Sequence, residues 1–287
     1  MPSPVTIIFC GTPTFAVPSL QALIDDDAFS VELVITQPDK PVGRKQVLTA
    51  PPVKAQAEQH GIPVVQPENT NDLENEIPAC DFLVTVAYGQ MIGPALLALP
   101  SIAPVNVHPS LLPRWRGASP IQHAILKDDR ETGVTIQQMV EELDAGPILA
   151  QEHTEIDPRE TAESLHERLS VMSAELLLKT LKHPLSPKEQ DETGVTFCKK
   201  LTRKDSIVDP AQMTAEEIDR HVRALVPWPG VLCTMEGEEL KLLETSLESQ
   251  EDALLLPCKN ASNLYVMQLQ PPGKKPMTGT EWKRGRR

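Results

Sequence analysis

Val5-Thr-Ile-Ile-Phe-Cys10, followed at once by Gly11-Thr-Pro13 and a helix-forming stretch over residues 15–24, decides the fold. Six residues rich in β-branched and aromatic side chains, closed by Gly and Pro, read as a buried strand, and the helix behind it completes a βα unit. The same alternation continues outward. Residues 31–36, 64–66, 82–87 and 105–108 are short apolar runs flanked by turn residues or Pro, with helix-like stretches between them. Residues 133–139 and 148–154 supply two late strands, the first expected to turn Val134 and Ile136 inward and Thr135 and Gln137 outward. The pattern is that of an α/β protein with an open, mostly parallel sheet.

Residues 160–182 read as one amphipathic helix, with Leu165, Leu169, Met172, Leu176 and Leu177 spaced by three and four. A polar stretch with two prolines, His183-Pro-Leu-Ser-Pro-Lys-Glu-Gln-Asp-Glu-Thr-Gly194, follows and reads as a linker. The expected division is a catalytic domain over residues 1–184, a linker over 185–205 and a smaller domain over 206–287. That last part opens with a helix over 214–225, whose Thr214 and Glu217 form a capping box. Apolar runs at 231–235, 240–243, 254–256 and 264–269 then suggest a small β-barrel.

The chain has 287 residues, enough for about two domains. No apolar run approaches the roughly 18 residues of a membrane span, and the N-terminus lacks the layout of a secretory signal, so a cytoplasmic protein without a membrane partner is expected; a monomer is the working expectation. The five cysteines are widely separated, with no Cys-x-x-Cys pair, and the seven histidines show no ligand spacing, so neither disulfides nor a metal are expected. Net charge is −13, which argues against nonspecific nucleic-acid binding over the whole surface. The charge is uneven, however: residues 1–198 carry 13 basic and 27 acidic groups, residues 199–287 carry 14 and 13. No Gly-x-Gly-x-x-Gly, phosphate loop or Gly-x-Ser-x-Gly occurs, which excludes nicotinamide, nucleoside triphosphate and nucleophile-elbow chemistry as first readings.

The segment Val105-Asn-Val-His-Pro-Ser-Leu-Leu-Pro-Arg-Trp-Arg-Gly117 carries the chemistry. Asn106 and His108, two apart on a strand, point to the same side. Pro109 ends the strand beside them, at the carboxyl edge where open α/β sheets bind ligands. Asp144 lies in the loop Glu141-Glu-Leu-Asp-Ala-Gly146 after the next strand, within reach of the imidazole if the two strand ends are neighbours. Such a trio suits acyl transfer between nitrogens. An amide donor at a developing oxyanion is worth about 2.7–4 kcal/mol; an imidazole exchanges protons near neutral pH, and a carboxylate orients it and favours its charged form. Asn-x-His also occurs as a satisfied strand-end pair, and Asp before Ala-Gly as a turn residue.

Asn106-Val-His-Pro-Ser110, Leu111-Leu-Pro-Arg-Trp-Arg-Gly-Ala-Ser-Pro120 and Leu143-Asp-Ala-Gly146 together resemble the formyltetrahydrofolate-dependent transferase superfamily. Cys10-Gly-Thr-Pro-Thr-Phe15, Thr36-Gln-Pro-Asp-Lys-Pro-Val-Gly-Arg44, Val86-Ala-Tyr-Gly89, Pro227-Trp-Pro-Gly230 and Leu269-Gln-Pro-Pro-Gly-Lys-Lys275 extend the likeness over nearly the full chain. The resemblance implies a doubly wound, Rossmann-like catalytic domain, an OB-like C-terminal barrel, and transfer of formyl from 10-formyltetrahydrofolate to the α-amino group of initiator Met-tRNA. It places the catalytic trio on Asn106, His108 and Asp144. It places folate contacts, largely through backbone groups, on Tyr88, Gly89, Gln90, Met91 and Ile92 and on Met139, Val140 and Glu142, with Leu111, Leu112 and Pro113 beside them and Ser110 in a supporting hydrogen bond. Contacts to tRNA are implied for Arg44 and Lys45, on a Gly-hinged loop, and backbone contacts fit Lys199, Lys200, Arg203, Lys274 and Lys275.

The C-terminal domain is shorter than the resemblance leads one to expect, with compression around residues 248–257. A rival reading keeps the trio and changes the acceptor to a nucleotide sugar, glycinamide ribonucleotide or water. Another makes the chain a catalytically silent RNA-binding module. The appended domain and its cationic tail favour tRNA over a small acceptor.

Overall fold

The computed structural model describes residues 3–43, 45–73 and 76–285. The chain divides into two compact units, Met1–Gly117 with Thr132–Glu155 and His166–Phe197, and Ala118–Glu131 with Ile156–Leu165 and Cys198–Arg287.

The first unit is built on a seven-stranded sheet. In chain order its strands are β1 (Val5–Gly11), β2 (Phe29–Ile35), β3 (Val64–Val65), β4 (Phe82–Val86), β5 (Ala103–His108), β6 (Glu131–Gln138) and β7 (Ile148–Glu155). Their order across the sheet is β7-β6-β5-β4-β1-β2-β3. The pairs from β3 to β5 are parallel, and β6 runs antiparallel to β5. The first apolar run of the chain lies inside the sheet as β1: Ile7, Ile8, Phe9 and Cys10 are all fully buried, as a strand covered on both faces requires. In the helix Ala162–Leu181, Leu169, Leu176 and Leu177 are buried in this unit, Met172 is half-buried, and Leu165, also buried, falls in the second unit. The expectation that Thr135 and Gln137 point to solvent is overturned. Both are buried, because β6 is an inner strand whose second face is also covered.

The stretch expected as a linker is structured against the first unit. Ile148 and Lys188 exchange backbone hydrogen bonds, Gln190 is buried, and Glu192–Gly194 forms a 3-10 turn.

The second unit holds a six-stranded, largely antiparallel sheet. Its strands are β8 (Ile207–Val208), β9 (Val231–Met235), β10 (Glu238–Ser246), β11 (Leu254–Pro257), β12 (Asn263–Gln270) and β13 (Met277–Thr278). They pair as an open path, β8-β9-β10-β12-β11, with β13 on β12. The helix Ala215–Leu225 lies against β10 and β12 and starts with the expected capping box, Thr214 accepting from Glu217 N and Glu217 from Thr214 N. Its Asp219 is 1% exposed and fully compensated. Oδ2 accepts from Arg159 and Arg223 at 2.8 and 2.9 Å, and Oδ1 from the Thr245 hydroxyl at 2.8 Å. No described helix is long and apolar enough to cross a membrane.

Candidate active site

Asn106 and His108 occupy the last turns of the pleat in β5, on one face. Register carries that face across three strands, with Thr85 of β4 and Gln137 of β6 beside Asn106 and Thr135 beside His108. β6 ends at Gln138, so the loop after it returns over the end of β5 and brings Asp144 to the pair. Asp144 Oδ1 lies 3.4 Å from Asn106 Nδ2 and 3.7 Å from His108 Nδ1. The three groups chosen from sequence spacing therefore converge. The carboxylate is held independently of both: Oδ1 accepts from Gln137 Nε2 at 3.0 Å and Oδ2 from the backbone N–H of Gly117 at 2.8 Å.

The imidazole is oriented from its other side. His108 Nε2 lies 2.9 Å from the carbonyl oxygen of Trp115. A carbonyl only accepts, so Nε2 carries the hydrogen and Nδ1 is the nitrogen that faces the carboxylate. His108 is 4% exposed, and a side chain held at both ring nitrogens in so dry a place keeps one orientation. Asn106 is only partly buried, and its Nδ2 contact to Asp144 is long; the amide retains donor capacity for a third party. An amide donor, a base with a fixed tautomer and an anchored carboxylate at one strand end can stabilise an oxyanion and move a proton between two nitrogens.

The turn Trp115–Gly117 is the hub of this arrangement. Trp115 O holds the imidazole, Gly117 N holds the carboxylate, and the buried Arg116 guanidinium reaches Gln190 Oε1 through Nε and Nη2 at 3.0 and 2.9 Å. Gln190 Nε2 in turn donates to the carbonyls of Asp144 and Gly146, both at 2.8 Å. Sequence reasoning gave Gln137 and Gln190 no part in the site. For Gln137 the signal was present: a long amide on an inner strand, in line with Asn106. For Gln190 there was none, because its partner Arg116 is 74 residues away.

The residues expected to line a folate site fall into buried and exposed sets. Tyr88 is 2% exposed, its hydroxyl bonded to Thr70 and its carbonyl accepting from Thr12 and Gln37. Gly89 has φ +84°, Gln90 bonds the backbone and hydroxyl of Thr70, and Ile92 is buried. Met139 packs against the cluster that holds Tyr88 and Ile92, which brings the loops after β4 and β6 together. Met91, Val140 and Leu143 are exposed apolar side chains on those loops, and Glu142 is exposed between them. Ser110 Oγ donates to Arg114 O at 2.6 Å, and Leu112 N donates to the Thr135 hydroxyl, so these two pin the loop after β5. Leu111 and Pro113 are partly buried there, with Pro113 in a cis peptide.

Among the expected RNA-contacting cations, Arg44 lies outside the described residues. Lys45 is exposed at the tip of a two-stranded hairpin, Lys40–Val42 with Val47–Thr49. Asp39 at its base accepts from Gln66 and Lys54, which hold its carboxyl below the usual range. Val42, Val47 and Leu48 are exposed along the hairpin. Lys200, Arg203, Lys274 and Lys275 are exposed. Lys199 is paired with Asp205 at 2.6 Å, a bond that pulls that carboxyl down to about 2. Among the described residues no group of three or more His, Cys, Asp or Glu is arranged to hold a metal.

A sequence profile described as formyl transferase matches residues 4–181, and one described as formyl transferase, C-terminal domain, matches residues 200–287. The chain is 41% identical to a protein of Bacillus cytotoxicus named methionyl-tRNA formyltransferase, over 98% of this chain and 96% of that one. It is 40% identical to a protein of the same name from Bacillus velezensis, over 98% and 94%. Among solved structures, an N-formyltransferase from Helicobacter canadensis in complex with folinic acid and dTDP-3-aminofucose superposes with a TM-score of 0.69 at 16% identity, covering 91% of this chain and 98% of that one. HypX from Aquifex aeolicus in complex with tetrahydrofolic acid gives 0.64 at 16%, covering 98% of this chain and 47% of that one. At such identities these two likenesses speak for the fold.

Proposed function

The chain belongs to the formyl transferase family, and from that membership we infer that it transfers the formyl group of 10-formyltetrahydrofolate to the α-amino group of methionine on initiator Met-tRNA. Its likeness over nearly its whole length to proteins named methionyl-tRNA formyltransferase, at 40–41% identity, supports the acceptor. The observation that carries the mechanism is the convergence of Asn106, His108 and Asp144 within 3.4 and 3.7 Å at one strand end.

The lone pair of the neutral methionyl amine attacks the formyl carbon, and the carbonyl π pair moves onto oxygen. Collapse of that oxyanion breaks the bond to the folate nitrogen, which takes up the proton the amine gives up. Formyl-Met-tRNA and tetrahydrofolate leave. Asn106 Nδ2 donates to the oxyanion, in a site where such a donor is fixed before the charge develops. His108 relays the proton: Nε2 is committed to Trp115 O, so Nδ1 receives it, with Asp144 Oδ1 3.7 Å away to accept from the imidazolium. Asp144 acts as orienter, held by Gly117 and Gln137. No covalent enzyme intermediate is needed.

The exposed Met91, Val140 and Leu143 offer an apolar surface for the flat pterin ring, and the backbone of the two loops offers donors and acceptors. The hairpin with Lys45 at its tip and the exposed Lys200, Arg203, Lys274 and Lys275 supply cations for tRNA, with Arg44 next to Lys45 in the sequence; Lys199 joins them by exchanging Asp205 for phosphate. We read the β-rich second unit as an RNA-binding element of OB type. The test is a formylation assay with charged initiator tRNA. Asn106→Ala lowers turnover by about 10²–10³, and an unchanged rate removes Asn106 from the mechanism.

A further inference from the structure

The loop that carries Asp144 is tightly turned. Asp144 itself has φ +52°, a left-handed conformation that aspartate tolerates better than most residues with a Cβ but at some cost. At Gly146 the backbone runs so close to β6 that an added Cβ would lie 1.8 Å from Gln138 O. The carbonyls of these same two residues receive the two N–H groups of one side chain, Gln190, at 2.8 Å each. On its other side the Gln190 carbonyl oxygen takes two N–H groups from Arg116. Every donor and acceptor of that amide is used, 7% exposed, against a guanidinium 2% exposed. Arg116 Nη2 also reaches Glu192 Oε1 at 2.9 Å.

We infer that Gln190, anchored by Arg116, is a positioning residue for the formyl transfer: it fixes the loop so that the Asp144 carboxylate stays opposed to His108. This deepens the catalytic reading above and rests on it. The consequence is that part of the active-site apparatus lies at residues 190–192, beyond the long helix, in a stretch that reads as connecting chain.

Gln190→Glu separates this role from simple packing. It keeps an oxygen for Arg116, now as an ion pair, and removes both N–H groups from the loop. The expected result is a protein that still folds, with its thermal midpoint lowered by the two lost buried hydrogen bonds, a fall in kcat of about 10²-fold that exceeds any rise in the folate KM, little change in KM for Met-tRNA, and faster backbone hydrogen exchange over residues 141–146. In an Asp144→Ala background the same substitution should cost almost nothing further, since it acts through that carboxylate. Wild-type kcat in folded Gln190→Glu overturns the inference; so does lost activity with unaltered exchange, or an equal loss in both backgrounds. If that variant does not fold, Gln190→Met is measured in its place, and the same results support or overturn the inference. Absence of Met-tRNA formylation by the wild-type protein, with loop exchange still responding to Gln190, would instead remove the catalytic reading and leave the clamp standing.

Discussion

Asp144 shows how much of the site is decided by single backbone positions. A carboxylate serves His108 only from a loop that folds back on itself within the few residues after β6, and the left-handed turn at Asp144 followed by the close pass of Gly146 achieves that. Gly146→Ala places a methyl group against the Gln138 carbonyl, so the loop has to move outward. The expected cost is about 1–3 kcal/mol in urea unfolding, with a drop in kcat larger than that loss of folded protein explains. Equal activity per folded molecule would show that the loop tolerates the shift. The trio was legible because its logic is local: Asn106 and His108 sit two apart before a proline, and Asp144 precedes Ala-Gly where a strand must turn. Gln190 was illegible for the opposite reason. A lone amide between Glu189 and Asp191 looks like solvated chain until the fold lays it against Arg116.

Among elements, the short apolar strands of the first sheet and the capped helix announced themselves, and those shaped by pairing did not show their ends. The helix Ala215–Leu225 was readable from its capping box. β10 was expected only over residues 240–243, yet it spans Glu238–Ser246, because Glu236 and Gly237, both at positive φ, form a two-residue hairpin turn that keeps β9 and β10 paired up to it whatever their polarity. β6 misled the alternation rule because polar Thr135 and Gln137 are buried to serve the site. The second unit's helix depends on Asp219, whose carboxylate ties Arg159, Arg223 and Thr245 to one point. Asp219→Ala removes the carboxylate of the nearly buried Arg223, which keeps the Glu160 carbonyl, for an expected loss of about 3 kcal/mol. Thermal or urea unfolding of the full chain reads this directly, and a change below about 1 kcal/mol would mean that water or Glu160 compensates.

At the scale of the whole molecule, the charge distribution and the reaction belong together. A chain of net charge −13 that acts on a polyanion has to meet it through local clusters of cations, proposed above to be the hairpin tip and the segments around residues 200 and 274. The KM for tRNA should therefore rise steeply with salt while that for folate hardly moves. Replacing Lys45, Lys274 and Lys275 by Ala should flatten the salt dependence by about one unit of slope for each phosphate no longer neutralised. A slope unchanged by all three substitutions would place the tRNA elsewhere. Proteins emerge from the ribosome N-terminus first, and Gln190 follows Asp144 by 46 residues. Since Gln190 is made after Asp144 and after the helix Ala162–Leu181, the loop that the proposed clamp fixes takes its final shape only once that later stretch has been added.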